Sequence, residues 1–300
     1  MSVKGKGFLR NRGTDLFSGR AIAPGTVFTA ENFKDLSYIA ETYGNGKLIC
    51  TSRQAVEIPG LPFEKIDEIL EYADSHGIIF GGTGAKVRPV TACKGTTCVY
   101  GNIDTQALAT EIHEKFYIGW KGVTLPHKFK ISVGGCPNSC IKPSLNDFGV
   151  EGHRVPEYDP SLCRGCTKCT VETACPTKAA VLESGKLVLG DECTNCGVCI
   201  GKCPFKAVAH EGKVMYKIFV GGTWGKKTRM GTPLSRLVSA DEVLPLLERS
   251  LLWFRENGYA KERFGMTLDR VGFDALEKAL FDEDLILRRD EILSAEIKTR

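Results

Sequence analysis

The chain has 300 residues, 42% hydrophobic and 25% charged, and a formal net charge of +4 from 40 Lys and Arg against 36 Asp and Glu. That is room for about two domains, with too little positive charge to track a phosphate backbone and no apolar run of the ~18 residues a membrane span needs. The opening Met1-Ser-Val-Lys-Gly-Lys-Gly lacks the apolar stretch of a secretory signal, so the expectation is a cytoplasmic protein with neither a nucleic-acid partner nor a membrane span.

The first 85 residues read as α+β. Thr29 is placed to cap a helix over Ala30–Tyr43 that Gly44 ends, Lys47–Thr51 reads as a short apolar strand, and Pro62 suits the first turn of a second helix. Phe63, Ile66, Ile69, Leu70 and Tyr72 recur at helical spacing before Gly77 stops it. Residues 86–155 mix Gly, Pro and Cys loops with a helix near Asp104–Phe116 and an alternating strand, Lys128–Val133. Residues 156–212 are rich in Cys and poor in apolar residues. Between 213 and 281 helical periodicity returns, with Ala240, Val243, Leu244, Leu247, Leu251, Trp253 and Phe254 on one core-directed face that Gly258 ends. The charged stretch 282–300 reads as a solvated helix or frayed tail.

Twelve of the thirteen cysteines fall in tight clusters, which outside an oxidising compartment reads as metal ligation rather than disulfides. Cys163-Arg-Gly-Cys166-Thr-Lys-Cys169 is followed by Cys175-Pro, and thirty residues on Cys193-Thr-Asn-Cys196-Gly-Val-Cys199 is followed by Cys203-Pro. This is the run of bacterial two-cluster ferredoxins, in which three cysteines wrap one [4Fe–4S] cubane and the fourth reaches the other cluster. It assigns Cys163, Cys166, Cys169 and Cys203 to one cluster and Cys193, Cys196, Cys199 and Cys175 to a second. The first copy has five residues between its third and fourth cysteines where the second has three, which lengthens the crossover only. Zinc prefers two Cys-x-x-Cys pairs across a longer loop, so a third cysteine repeated twice argues for iron and sulfide. So small a segment has little apolar core of its own, and the clusters are expected to supply it.

A second set, Cys93-Lys-Gly-Thr-Thr-Cys98 and Cys136-Pro-Asn-Ser-Cys140, offers four thiolates to a third cubane; on spacing alone structural zinc remains a competitor. Cys50 stands alone and reads as a small buried residue. Gly81-Gly-Thr-Gly84 lacks Walker and Rossmann spacing and reads as a turn. His113 is expected on the surface or in the core, and His127 beside the lysines.

Further segments carry a resemblance. Leu125-Pro-His-Lys-Phe-Lys-Ile-Ser-Val-Gly-Gly-Cys-Pro-Asn-Ser-Cys140 is similar to the siroheme–[4Fe–4S] signature of sulfite and nitrite reductases. Thr51-Ser-Arg-Gln54, Val87-Arg88-Pro-Val-Thr-Ala-Cys93, Tyr216-Lys-Ile-Phe-Val-Gly-Gly222 and Glu262-Arg-Phe-Gly265 resemble other pieces of that family. With the inserted ferredoxin run, the arrangement most resembles the C subunit of anaerobic sulfite reductases. The resemblance implies an α+β fold: a ferredoxin-like half-domain (1–85), a siroheme/[4Fe–4S] domain (86–155 and 213–281) and an inserted two-cluster domain (156–212).

It also implies siroheme and three [4Fe–4S] clusters, with Cys93, Cys98, Cys136 and Cys140 on the third and Cys140 bridging to the siroheme iron. Arg53, Arg88, Lys128 and Lys130 would serve the substrate anion, and Arg53 and Gln54 the macrocycle. Read from the strand alone, Lys128 and Lys130 are a solvated face. The Gly81–Gly84 turn would have siroheme's carboxylates as an alternative role. Two features depart from the family: four residues rather than five separate Cys93 from Cys98, and Pro89 follows Arg88 where Asn is commoner. The implied activity is six-electron reduction of sulfite to sulfide. The alternatives are nitrite as substrate, or an electron carrier without siroheme. The chain shows no nicotinamide or flavin motif, so a separate reductase subunit or ferredoxin donor is expected, in a hetero- or homo-oligomer.

Overall fold

The computed structural model describes residues 3–300. Near the N-terminus, strands β1 (Phe8–Arg10), β2 (Phe17–Ile22), β3 (Ile49–Cys50), β4 (Val56–Leu61) and β5 (Ile79–Phe80) form an antiparallel sheet in the order β1-β2-β4-β3, with β5 also on β2. Helices α1 (Ala30–Tyr43) and α2 (Ile66–Ser75) cover it, burying Leu36, Ile39 and Ile69 against Ile58 and Leu61. α1 starts as the sequence predicts: the Thr29 side chain accepts the Asn32 N–H, and the Asn32 side chain accepts that of Thr29. Cys50 is a correction. β3 is an edge strand of two exposed residues, paired only with β4, so Cys50 faces solvent.

The second sheet is mixed, in the order β12-β11-β8-β7-β6: β6 (Thr91–Ala92), β7 (Ile131–Gly134), β8 (Phe148–Val155), β11 (Lys213–Val220) and β12 (Thr232–Pro233). β6, β7 and β8 run parallel, and β11 returns antiparallel to β8 in unbroken register from Lys213 opposite Val155 to Val220 opposite Phe148. Between β6 and β7, Asp104 caps α3 (Thr105–Ile112), and the chain runs on as a π-helical turn, His113–Ile118. The strand expected over Lys128–Val133 begins only at Ile131, because the Lys130 N–H goes to the Asp147 carboxylate rather than to a neighbouring strand.

Between β8 and β11 lies the Cys-rich segment, with α4 (Thr170–Ala174) and a hairpin of β9 (Ala180–Glu183) and β10 (Lys186–Leu189). Its apolar core is small: Val171, Ala180, Leu187 and Val208, with five cysteines packed on them.

Helices α5 (Ala240–Asn257), α6 (Phe264–Val271), α7 (Phe273–Leu280), α8 (Asp284–Leu287) and α9 (Arg289–Ser294) close the second sheet. Phe254, Phe264 and Phe129 form a fully buried aromatic cluster where they meet it. Residues 282–300 are therefore not a frayed tail. Leu285 and Ile292 are 2% and 3% exposed in the main core, and the Ala260 N–H donates to the Lys298 carbonyl. Its spaced apolar residues dock, and Arg288 and Arg289 pair with Glu256 and Glu248 of α5 at 2.6 and 3.2 Å.

Candidate functional site: a cationic cavity beside four thiols

The Thr51–Gln54 turn carries the first sheet's contribution to the second. Gln54 adopts a left-handed backbone (φ 57°). Its amide exchanges two hydrogen bonds with the backbone of Ala92, donating at 2.7 Å and accepting at 3.0 Å. Arg53 then reaches into the junction and donates to Asn146 Oδ1 at 2.9 Å and to the Pro89 carbonyl at 2.8 Å. Burial holds its guanidinium down at about 10, against the pull of Asp147. Arg88 donates to the Gly82 carbonyl, which Arg20 also uses, and burial lowers it to about 10 as well.

These side chains, with Lys130, Ser52 and Thr51, line a cavity of about 200 Å³. Burial, and then repulsion from Arg53, Arg263 and Lys128, brings the Lys130 ammonium down to about 8. Lys128 is half-buried nearby, and the His127 imidazole is pushed down by burial and then by Lys128, Arg263 and Arg88. Gly81–Gly84 is a turn, as expected, its Gly82 N–H held by the Tyr117 hydroxyl at 3.0 Å.

A second cavity, of about 280 Å³, shares Ser52, Arg53 and Lys130 with the first and is lined beyond them by Cys140, Lys142, Asn146 and Trp224. Arg53 and Lys130 thus stand between the anion-attracting space and Cys140. The Lys142 ammonium lies over the Trp224 ring at 5.5 Å. Cys93, Cys98, Cys136 and Cys140 come together: burial raises the Cys136 thiol, and the other three raise it further. The Gly135 N–H donates to Cys93 Sγ at 3.2 Å. As thiolates these four cysteines, three half-buried and Cys140 exposed, repel one another and suit a group that supplies positive charge, as an iron–sulfur cluster does. The adjoining cations suit a polyanion such as a macrocycle rich in carboxylates.

Three further residues that the sequence reading did not single out shape this region. Asp147, fully buried, accepts one Arg263 nitrogen across both oxygens at 3.0 and 2.9 Å and the Lys130 N–H at 2.8 Å. Arg263 lies within the Glu262–Gly265 segment, and its buried Nε has no partner among the described residues. Arg20 lines the cavity while paired to Glu57 at 2.6 Å. Asp147 carries no local signal. Arg263 carries the same signal as Arg53 and Arg88, an arginine inside a segment that resembles the family.

In the Cys-rich segment, Cys175, Cys193, Cys196 and Cys199 line one pocket. Burial, and then Cys193, Cys196 and Cys175, push the Cys199 thiol up to about 11, again the donor set a cluster relieves. Cys163, Cys169 and Cys203 pack on the same small core, while Cys166 is half-buried outside it. The segment joins the rest of the chain at residues 194–200. His153 Nδ1 contacts the Thr194 carbonyl at 2.9 Å, the Arg154 N–H donates to Asn195, and the Asn102 amide donates to the Cys196 carbonyl at 3.3 Å. A cavity between the two parts is lined by Cys136 on one side and Cys196 on the other.

The two sheet-and-helix units that meet at this cationic cavity and thiol set correspond to two domains of the nitrite and sulfite reductase family. Residues 83–286 match the family model of the nitrite and sulphite reductase 4Fe-4S domain and residues 10–76 that of the nitrite/sulfite reductase ferredoxin-like half domain; the chain belongs to this family. It is 32% identical over 263 residues to the coenzyme F420-dependent sulfite reductase of Methanocaldococcus jannaschii, covering 83% of this chain but only 40% of that protein's length. It is 29% identical to the C subunit of the anaerobic sulfite reductase of Salmonella typhimurium, over 77% of this chain and 72% of that one. Among solved structures, a dissimilatory sulfite reductase I superposes with a TM-score of 0.69 at 24% identity, covering 88% of this chain and 69% of that one. Among the described residues, no helix is long and apolar enough to cross a membrane.

Proposed function

We propose that this chain is the catalytic subunit of a siroheme-dependent sulfite reductase. The observation that carries the proposal is the pair of cavities joined at Arg53 and Lys130, one lined by guanidinium and ammonium groups and the other by Cys140. Cys93, Cys98, Cys136 and Cys140 would hold one [4Fe–4S] cluster; Cys163, Cys166, Cys169 and Cys203 a second; and Cys193, Cys196, Cys199 and Cys175 a third. Siroheme, when bound, would supply the iron at which sulfur is reduced, and Cys140, with Arg53 and Gln54, would be among the residues that hold it.

The chain's own residues then have distinct tasks. Among the described residues the acceptors of Arg53 and Arg88 are neutral, so their charge stays available to an oxyanion or a macrocycle carboxylate. Gln54 locks the turn that presents Arg53. Reduction of sulfite to hydrogen sulfide ion consumes six electrons and seven protons and releases three waters. Lys130, near 8, can give up and regain a proton close to neutral pH, as Lys128 and its neighbours reinforce. The 156–212 segment would carry electrons inward as a separate unit beside the half-domain (1–85) and the siroheme domain (86–155 and 213–281). The chain would work in the cytoplasm with electron-donating subunits in an oligomer. Nitrite suits the same charges; the relatives named sulfite reductases favour sulfite.

The test is anaerobic purification followed by visible spectroscopy and turnover with reduced methyl viologen. The expected result is an isobacteriochlorin spectrum that shifts with sulfite, sulfide as product, and loss of turnover in Arg53→Met. Iron–sulfur absorption alone, unchanged after reconstitution with siroheme, would reduce the chain to an electron carrier.

A further inference from the structure

The two ferredoxin-type cysteine sets differ in the charge their own loops carry. Segments 163–169 and 201–206, which hold Cys163, Cys166, Cys169 and Cys203, contain Arg164, Lys168, Lys202 and Lys206 and no carboxylate: 4 − 0 = +4. Segments 174–178 and 191–199, which hold the other set, contain Lys178 against Asp191 and Glu192: 1 − 2 = −1. The sets also differ in place. Cys196 lies against the Cys136 loop across a shared cavity, and residues 194–200 carry the bonds to the body of the protein. The loops bearing the four cations carry none of those bonds.

The cations form one surface. The Thr170 hydroxyl donates to the Lys202 carbonyl at 2.6 Å, which ties the loop after Cys169 to the one before Cys203. Lys186 donates to the Cys163 carbonyl at 2.8 Å, adding a fifth positive side chain. All five are exposed. Two apolar side chains stand among them, Leu162 at 44% and Phe205 at 46% exposure. The carboxylates nearest the four rim cations along the chain are Asp159, which accepts from Ser161, and Glu172, which accepts the Leu182 N–H, while Glu183 stands opposite Lys186 in the β9–β10 hairpin. An apolar centre with a single-sign charged rim suits brief, electrostatically steered docking.

We infer that Leu162 and Phe205, with the rim of Arg164, Lys168, Lys202 and Lys206, form the docking surface for an acidic one-electron carrier protein, and that electrons enter at the Cys163/Cys166/Cys169/Cys203 set. This rests on the proposal that the two sets hold clusters. The set beside Cys136 is the inner relay, and its acidic loops do not compete for the same partner.

The experiment uses the anaerobically purified holoprotein and follows bleaching of its visible absorption in a stopped-flow instrument. The probe is a reduced, strongly acidic two-cluster bacterial ferredoxin; reduced methyl viologen, a small cation, is the comparison. With the acidic probe the wild-type rate constant is expected to fall on the order of tenfold or more as salt rises from about 10 mM to about 1 M, as the screening length shrinks from about 30 Å to about 3 Å. The triple variant Lys168→Glu, Lys202→Glu, Lys206→Glu should lose that same factor at low salt and keep its methyl viologen rate within twofold. The control Lys47→Glu, Lys121→Glu, at two exposed lysines elsewhere, should change neither rate by more than twofold.

A salt-independent wild-type rate overturns the inference without any variant, so loss of clusters in the triple variant leaves it testable. An equal loss in the control overturns it too. So does a wild-type dimer that the triple variant dissociates, which would assign the patch to a second copy. Bleaching needs no sulfite turnover, so an inactive siroheme site would leave a positive result standing, whereas wild-type protein without iron and sulfide would refute the cluster proposal.

Discussion

Replacing Asp147 with Asn should cost this protein far more stability than one oxygen-for-nitrogen exchange suggests. Asp147 is fully buried and accepts from Arg263 and from the Lys130 N–H. Asn keeps one acceptor, which satisfies one of those donors. The charge-assisted bond to Arg263 is then lost, worth about 1.5–3 kcal/mol, and a donor is left facing an amide N–H, for about 1–3 kcal/mol more. The sum, roughly 2.5–6 kcal/mol, brackets the roughly 3–5 kcal/mol that breaking a buried ion pair from one side costs. At roughly 2 °C per kcal/mol for a chain of this size, Tm by anaerobic scanning calorimetry at fixed scan rate should fall by at least about 6 °C. Asp147 also offsets the positive charge around Arg53, so its loss leaves the cavity more cationic. Excess sulfite or sulfate should raise the variant's Tm more than the wild type's, since a ligand at 100 times its Kd returns about 2.7 kcal/mol. Combined with Arg263→Met, the two losses should fall short of their sum by about 1 kcal/mol or more. A drop under about 2 °C, or strict additivity, would refute the pairing.

Leu285→Ala should cost about 2–5 kcal/mol by the cavity it opens, because Leu285 is 2% exposed; a change under about 0.5 kcal/mol would return residues 282–300 to a frayed tail. For Lys130→Met the sign follows from a folded-state pKa near 8 against an ordinary 10.5. Below pH 8 both states hold the proton and the folded state bears the whole cost of the half-buried charge. Between pH 8 and 10.5 the unfolded chain holds more protons, so wild-type stability rises with pH. Allowing for residual solvation, the variant should be more stable at pH 7 by roughly 1–2 kcal/mol, with the gap closing by about pH 10. A gap that is constant with pH, in parallel thermal melts, would show that packing rather than charge separates them.

What the sequence makes legible is what short-range chemistry dictates. Cysteine spacing gives the thiol sets, and Thr29 and Asp104 give two helix starts because a cap is decided within three residues. The late start of β7 is not legible, since it depends on a partner distant in sequence, Asp147 on the Lys130 N–H. Cys50 reads as buried because its neighbours are apolar, yet an edge strand of two residues has solvent on its free side. Asp147 and Arg263 lie 116 residues apart, and only the folded chain shows that one fixes the other.

The cavity's chemistry follows from how its cations are held. Arg20 and Arg263 are neutralised by Glu57 and Asp147, and they brace the walls. Arg53 and Arg88 are held instead by carbonyls and an amide, groups that fix a guanidinium without cancelling its charge. Desolvated positive charge is costly, and here it is borne at the junction of the two sheets, where Arg53 and Gln54 come from one and Arg88, Lys130 and Cys140 from the other. The site therefore exists only when the two units are docked, and an anion entering it relieves the repulsion that docking creates. That is why an oxyanion or a carboxylate-bearing macrocycle should stabilise the whole chain and not merely occupy a space within it.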